Sequence, residues 1–175
     1  MPDSLLPHAP SLDEPLDMLH ACHERIEAQL RTLERLIDYL PEHGVDDQVR
    51  GAITNVLRYF DQAAPNHHED EEHDLFPRLL ANAPSDEATS VKSLIDALLA
   101  DHQAMAEALA VVRTSLIELS TAQRWSVDAT AIRHLADCYR CHIAREEGTL
   151  LPLAKRLLTA EDVTELSRAM TARRT

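Results

Sequence analysis

Apolar residues recur along this chain in alternating steps of three and four, the spacing that lines one face of an α-helix. The first stripe reads Leu16, Leu19, His23, Ile26, Leu30, Leu33, Ile37, Leu40. Ser11-Leu12-Asp13-Glu14 ahead of it has the form of a capping box with Ser11 as N-cap. The pattern therefore predicts a helix to about Tyr39, closed by Pro41-Glu42-His43-Gly44. A second stripe, Val49, Ile53, Val56, Phe60, Ala64, His67, Glu71, Leu75, starts a helix at about Asp46. Pro65 is expected to kink or restart it, and Pro77 to do the same further on. After a turn at 81–85, Leu94, Leu98, His102, Met105, Leu109, Val112, Leu116, Leu119 mark a third helix from about Asp86. A turn at 121–126 leads to the fourth, from about Val127 to Leu158, with Val127, Ala131, Leu135, Cys138, His142, Glu146, Leu150, Leu153, Leu157 on one face. Thr159-Ala160-Glu161-Asp162 is another capping box and opens a short amphipathic fifth helix to about Met170, expected to dock on the end of the assembly.

Four long helices joined by short turns predict an all-α, up-down-up-down four-helix bundle with a short C-terminal fifth helix. The expected organisation is a flexible arm at 1–11, with three prolines by residue 10, then the bundle at 12–158, then the short helix and tail at 159–175. Each stripe carries one histidine where an aliphatic residue is expected: His23, His67, His102, His142. Successive histidines are separated by about one trip to a turn and back. All four can therefore lie in one inward-facing layer.

Two stretches repeat each other. His67-His68-Glu69-Asp70-Glu71-Glu72-His73-Asp74-Leu75-Phe76-Pro77 aligns with His142-Ile143-Ala144-Arg145-Glu146-Glu147-Gly148-Thr149-Leu150-Leu151-Pro152. In both, a histidine stands four residues before a glutamate, so the pairs His67/Glu71 and His142/Glu146 each share a helix face. Six polar groups thus occupy core positions: His23, His67, Glu71, His102, His142, Glu146. Burying two unpaired carboxylates costs several kcal/mol, and a pair of metal ions removes that cost. If each ion takes two histidines and both glutamates bridge, each has four protein donors. One bridging oxide or hydroxide makes five and leaves room for a small ligand. Such donors suit iron first; manganese and zinc suit them less well. His68 with Glu72 is the same pair shifted by one residue. Whether His68, Glu72 or Glu147 joins the first ring of ligands stays open. His20, His43, His73 and His134 fall on or near the surface.

Composition narrows the picture. The net charge of −13 excludes nucleic acid and anionic membrane surfaces as partners. Few aromatics and three glycines favour helices over sheets. No apolar run approaches a membrane span, and Met1 to Pro10 lacks the basic and apolar regions of a signal peptide, so the expected location is the cytoplasm. Cys22, Cys138 and Cys141 do not form a disulfide framework. Cys138-Tyr139-Arg140-Cys141-His142 is nonetheless a literal C-x-x-C-H, the attachment motif of c-type haem, and provides a minor alternative reading.

The paired motifs His67-x3-Glu71-Glu72-x2-Leu75-Phe76-Pro77 and His142-x3-Glu146-Glu147-x2-Leu150-Leu151-Pro152, with His23 and His102 between and before them, resemble the hemerythrin family in its HHE cation-binding branch. The resemblance covers about residues 12–158. It implies a four-helix bundle around two iron ions with an oxo or hydroxo bridge. It also implies binding of dioxygen, nitric oxide or peroxide, for sensing, iron storage or stress response. The alternative it carries is a redox enzyme consuming peroxide or nitric oxide with an unknown redox partner, or an iron donor for iron–sulfur cluster repair. The chain departs from the oxygen carriers of the family, which have a second histidine four residues from the one on the third helix. Here those positions are Leu98 and Ala106. Four histidines and two glutamates are closer to the di-iron cluster-repair proteins, whose extra cysteine-bearing N-terminal domain has only the arm in its place.

Overall fold

The computed structural model describes residues 14–121 and 124–174. The Ser11 N-cap and the arm at 1–11 lie outside the described residues. Every regular element among them is helical: α1 (Pro15–His43), α2 (Asp47–Glu69), α3 (Phe76–Asn82), α4 (Ala88–Ser120), α5 (Ala129–Arg145), α6 (Leu151–Leu157) and α7 (Ala160–Arg173). A π turn at Asp70–Leu75 joins α2 to α3, and another at Glu146–Leu150 joins α5 to α6. Four long rods result (α1, α2–α3, α4 and α5–α6) with α7 as a fifth. No described helix is long and apolar enough to cross a membrane.

Prolines act differently from expectation. α1 does not stop before Pro41 but runs to His43, and the ladder resumes when the Gly44 N–H donates to the Leu40 carbonyl at 2.9 Å. Gly44 takes φ +66°, a left-handed conformation that favours glycine. Pro65 does not interrupt α2 either. It sits on the exposed face, where solvent can satisfy the carbonyl that loses its partner. The irregularity comes later. The Phe76 N–H reaches back five residues to the Glu71 carbonyl, and the Leu151 N–H to the Glu146 carbonyl. Pro77 and Pro152 follow immediately, each as the second residue of its new helix. The widened turn makes room for a ring that would collide with the carbonyl four residues back in an α-helix.

Each π turn also inserts an extra residue into the helical phase. From Glu147 to the end of α6 the buried residues are Leu150, Leu151 and Ala154, while Leu153 and Leu157, expected in the stripe, are only partly covered. On α5, Tyr139 is buried in place of the expected Cys138. The stripe of α2 faces inward as its spacing requires; in that of α1, Leu16 and Ile37 are only partly covered, and Leu36 is buried in place of Ile37.

The histidine layer divides two apolar cores. One holds Ile26, Leu30, Val56, Phe60, Met105, Leu135 and Tyr139; the other holds Leu19, Leu75, Leu79, Leu98, Leu150 and Ala154. Leu166 and Met170 of α7 complete the second core, and α7 lies along α1 and the first π turn. Its start is the expected capping box: the Asp162 N–H donates to Thr159 Oγ1 at 3.1 Å, and the Thr159 N–H to Asp162 Oδ2 at 2.9 Å. Thr159→Ala is expected to destabilise the fold by about 1 kcal/mol, measured by urea unfolding with an unchanged denaturant slope.

Candidate metal centre

His23 comes from α1, His67 from α2, His102 from α4 and His142 from α5, one from each rod. Glu71 is the second residue of the first π turn and Glu146 opens the second. All six side chains are buried, and both glutamates are fully so. The structure therefore brings together every residue of the expected set.

Their ring nitrogens and carboxylate oxygens form two groups. In one, His23, His67, Glu71 and Glu146 offer atoms within 4.8 Å of one another; in the other, Glu71, His102, His142 and Glu146 do the same. Both glutamates belong to both groups. Glu146 sets Oε2 2.9 Å from His23 Nε2 and Oε1 3.0 Å from His142 Nε2. Glu71 spans His67 Nε2 and His102 Nε2, each at 3.4 Å. The Nε2 atoms of His102 and His142 are 3.2 Å apart.

These contacts are close but poorly directed. His23 Nε2, both nitrogens of His67 and all four oxygens of Glu71 and Glu146 have no hydrogen-bond partner among the described residues. Buried polar groups are rarely left so, and each such group costs about 1–3 kcal/mol. Imidazole nitrogens and carboxylate oxygens converging in this way are the donor set of a divalent or trivalent cation. The residues fit a metal centre, with Glu71 and Glu146 common to both donor groups.

Charge follows the same geometry. Burial, then the neighbouring Glu146 carboxylate, pushes Glu71 well above the usual carboxylate range. Burial would also raise Glu146, but the His142 and His23 imidazoles outweigh it and hold its carboxyl well below that range. Burial lowers His67 far below an ordinary imidazole.

The second glutamate of each repeat has its own place. Glu72 Oε1 lies 2.5 Å from His102 Nδ1, and Glu147 Oε1 lies 2.5 Å from His23 Nδ1. Each carboxylate sits behind an imidazole, accepts a hydrogen bond from its Nδ1–H and leaves Nε2 facing inward, an arrangement that fixes the tautomer and strengthens a metal ligand. Neither joins the two inner groups. The exposed His20 also bonds Glu147, at 2.8 Å. Glu72→Gln and Glu147→Gln are each expected to weaken metal binding about 10–100-fold with little change in fold, as read by competition with a calibrated chelator.

Two features lie beyond what residue spacing reveals. Asp101 Oδ2 stands 3.5 Å behind His142 Nδ1 and is itself paired with Arg145. Asp70, fully buried beside Glu71, is held by Arg173 and Arg174 from the far end of the chain. The doubled glutamates were a visible signal for the outer carboxylates. A partner about a hundred residues away gave none for Asp70.

The haem reading finds no support at this site. His142 is 1% exposed, and its Nε2 is already against Glu146 and His102, so a haem has no open face on which to meet it. The Cys138 thiol lies 3.8 Å from the His134 ring, and Cys141 is exposed.

The family model of the hemerythrin HHE cation binding domain matches residues 14–154. A protein of Haemophilus influenzae, described only as an uncharacterized protein, is 37% identical over 162 residues, covering 93% of this chain and 91% of that one. With four rods, a histidine from each and a glutamate on each π turn, the chain belongs to the hemerythrin family, within its HHE cation-binding domains.

Proposed function

We propose that this is a cytoplasmic di-iron protein that binds a small ligand, dioxygen, nitric oxide or peroxide, in sensing, iron storage or stress response. One observation carries the reading: two groups of four inward-facing donors that share both Glu71 and Glu146. His23 and His67 would hold one ion and His102 and His142 the other, with Glu71 and Glu146 available to both. Iron suits two imidazoles and two carboxylates per site better than zinc, which favours closed four-coordinate sites when structural; manganese is the nearer substitute. When bound, the iron pair supplies open coordination positions and two accessible oxidation states. The chain's own residues position and shield. Glu72 and Glu147 keep the Nδ1 protons of His102 and His23, so that both rings present Nε2 inward. Apolar cores on both sides of the layer keep bulk water away.

The test is to expose the iron-loaded protein to nitric oxide and, separately, to peroxide, following both the spectrum and the amount of ligand remaining. A stable new spectrum with stoichiometric uptake supports a sensor or store. Continued consumption with a supplied reductant moves the protein to the alternative, a redox enzyme. Transfer of its iron to a damaged cluster protein would favour the donor role. An iron-loaded protein whose spectrum responds to neither ligand would overturn the reading.

A further inference from the structure

One imidazole near the centre has no role in the six-residue set. His68 follows His67 on α2, and its Nε2 is shielded from solvent without a hydrogen-bond partner among the described residues. A ring nitrogen of His68 lies within 4.8 Å of nitrogens of both His102 and His142. Proximity alone would suggest a third nitrogen for the ion on that side. The ring orientation argues otherwise. His68 stacks face to face on His102, with centroids 4.1 Å apart and planes at 17°. An imidazole holds a cation near its own ring plane, and two nearly parallel planes stacked at that distance share no such point. His68 faces the His102/His142 half of the centre without sharing its ion.

His68 also lines an open cleft of about 400 Å³, whose other walls include Phe60, Ala64, Ala106, Leu109 and Tyr139. These residues form an apolar side, Glu69, Glu72 and His73 form a polar one, and Ala106 leaves the cleft wide where a larger side chain would narrow it. A small molecule moving along the apolar side meets His68 there.

Building on the di-iron reading, we propose that this cleft admits the exogenous ligand to the His102/His142 half, and that His68 Nε2–H donates a hydrogen bond to it there. His68 is then a positioning residue that sets ligand affinity on one side of the pair, a task distinct from holding metal.

The experiment compares full-length wild type, His68→Leu and His68→Gln, each loaded with iron. Metal content is measured first, and azide, a small anion that accepts hydrogen bonds, is then titrated by absorption. The expected result is two irons per chain in all three. Azide should bind about ten-fold more weakly to His68→Leu, the loss of one hydrogen bond, and His68→Gln, which keeps an N–H donor, should recover part of the loss. Equal azide affinity in wild type and His68→Leu would overturn the proposal. So would loss of iron from His68→Leu, which would make His68 a ligand. A wild type that takes up no iron would instead bring down the di-iron reading itself, and this proposal with it.

Discussion

Replacing Glu71 with leucine is expected to make the metal-free protein more stable and the metal-loaded protein impossible to form. The two effects share one cause. Glu71 is fully buried, and neither of its oxygens has a hydrogen-bond partner among the described residues. Without metal it is a cost to the fold. Exchanging buried ionic groups for apolar ones of similar volume typically stabilises by about 1–4 kcal/mol. At this chain length each kcal/mol moves the melting temperature by about 2–4 °C. Melting in the presence of a strong chelator should therefore show Glu71→Leu several degrees above wild type. With iron present the order reverses: wild type gains the binding free energy, while the variant, lacking one of the two glutamates common to both donor groups, gains little.

The pH dependence isolates the same group. The folded-state pKa of Glu71 is raised above its ordinary 4.5 by burial and by Glu146. A raised folded pKa contributes stability that is fully present below about pH 4.5 and is lost as pH rises toward the folded value. The penalty of Glu71 in the metal-free chain therefore grows as pH rises above 4.5, and so does the advantage of Glu71→Leu over wild type. Buried imidazoles such as His67, whose pKa is lowered, act in the opposite sense. They are common to both proteins, so to first order they cancel in the difference. A constant difference between pH 5 and 8 in chelator would mean that Glu71 is not the buried acid described above.

The second large effect concerns the far end of the chain. Asp70 is fully buried, and its Oδ2 accepts from Arg174 Nη2 at 2.5 Å while Oδ1 accepts from Arg174 Nη1 at 3.2 Å and from Arg173. Arg173 also donates to Asp74 at 2.7 Å and Glu69 at 3.1 Å, so one side chain ties three positions in and around the first π turn. Removing both guanidinium groups leaves an uncompensated charge in the core, a change that costs about 3–5 kcal/mol. The Arg173→Ala/Arg174→Ala protein should melt roughly 10 °C lower by the same scaling and lose metal faster, because Asp70 precedes Glu71 directly. Adding Asp70→Asn to the double variant should return part of the stability. Additive effects in that cycle would mean that the three residues do not act as a unit.

The contrast between these two sites indicates what a single sequence exposes. Glu71 was legible because a helix stripe assigns it to the interior and a second copy of the motif repeats the assignment at Glu146. The same logic placed His23 and His102, each a lone histidine in an aliphatic row. Asp70 was not legible. It lies one residue off the stripe, within an acidic run that reads as a solvated surface, and its partners stand at the end of α7, at the other end of the chain. The π turns were hidden for a different reason. Pro77 and Pro152 signal that something must give, but a helix can break, kink or widen, and only the backbone of the folded chain distinguishes these. Widening advances the phase by one residue, which is why the burial expected at Leu153 passed to Ala154. Pro65 misled because its effect depends on exposure, and on the solvent face of α2 a missing N–H costs little.

The claim that most needs testing is that two ions lie in this layer, each shared between the two glutamates. Anomalous diffraction at the iron edge, from crystals of the iron-loaded full-length chain, addresses it directly. The account predicts two iron peaks per chain, one beside His23 and His67 and one beside His102 and His142, both within bonding reach of Glu71 and Glu146. A single peak, or iron held outside this layer, would contradict it.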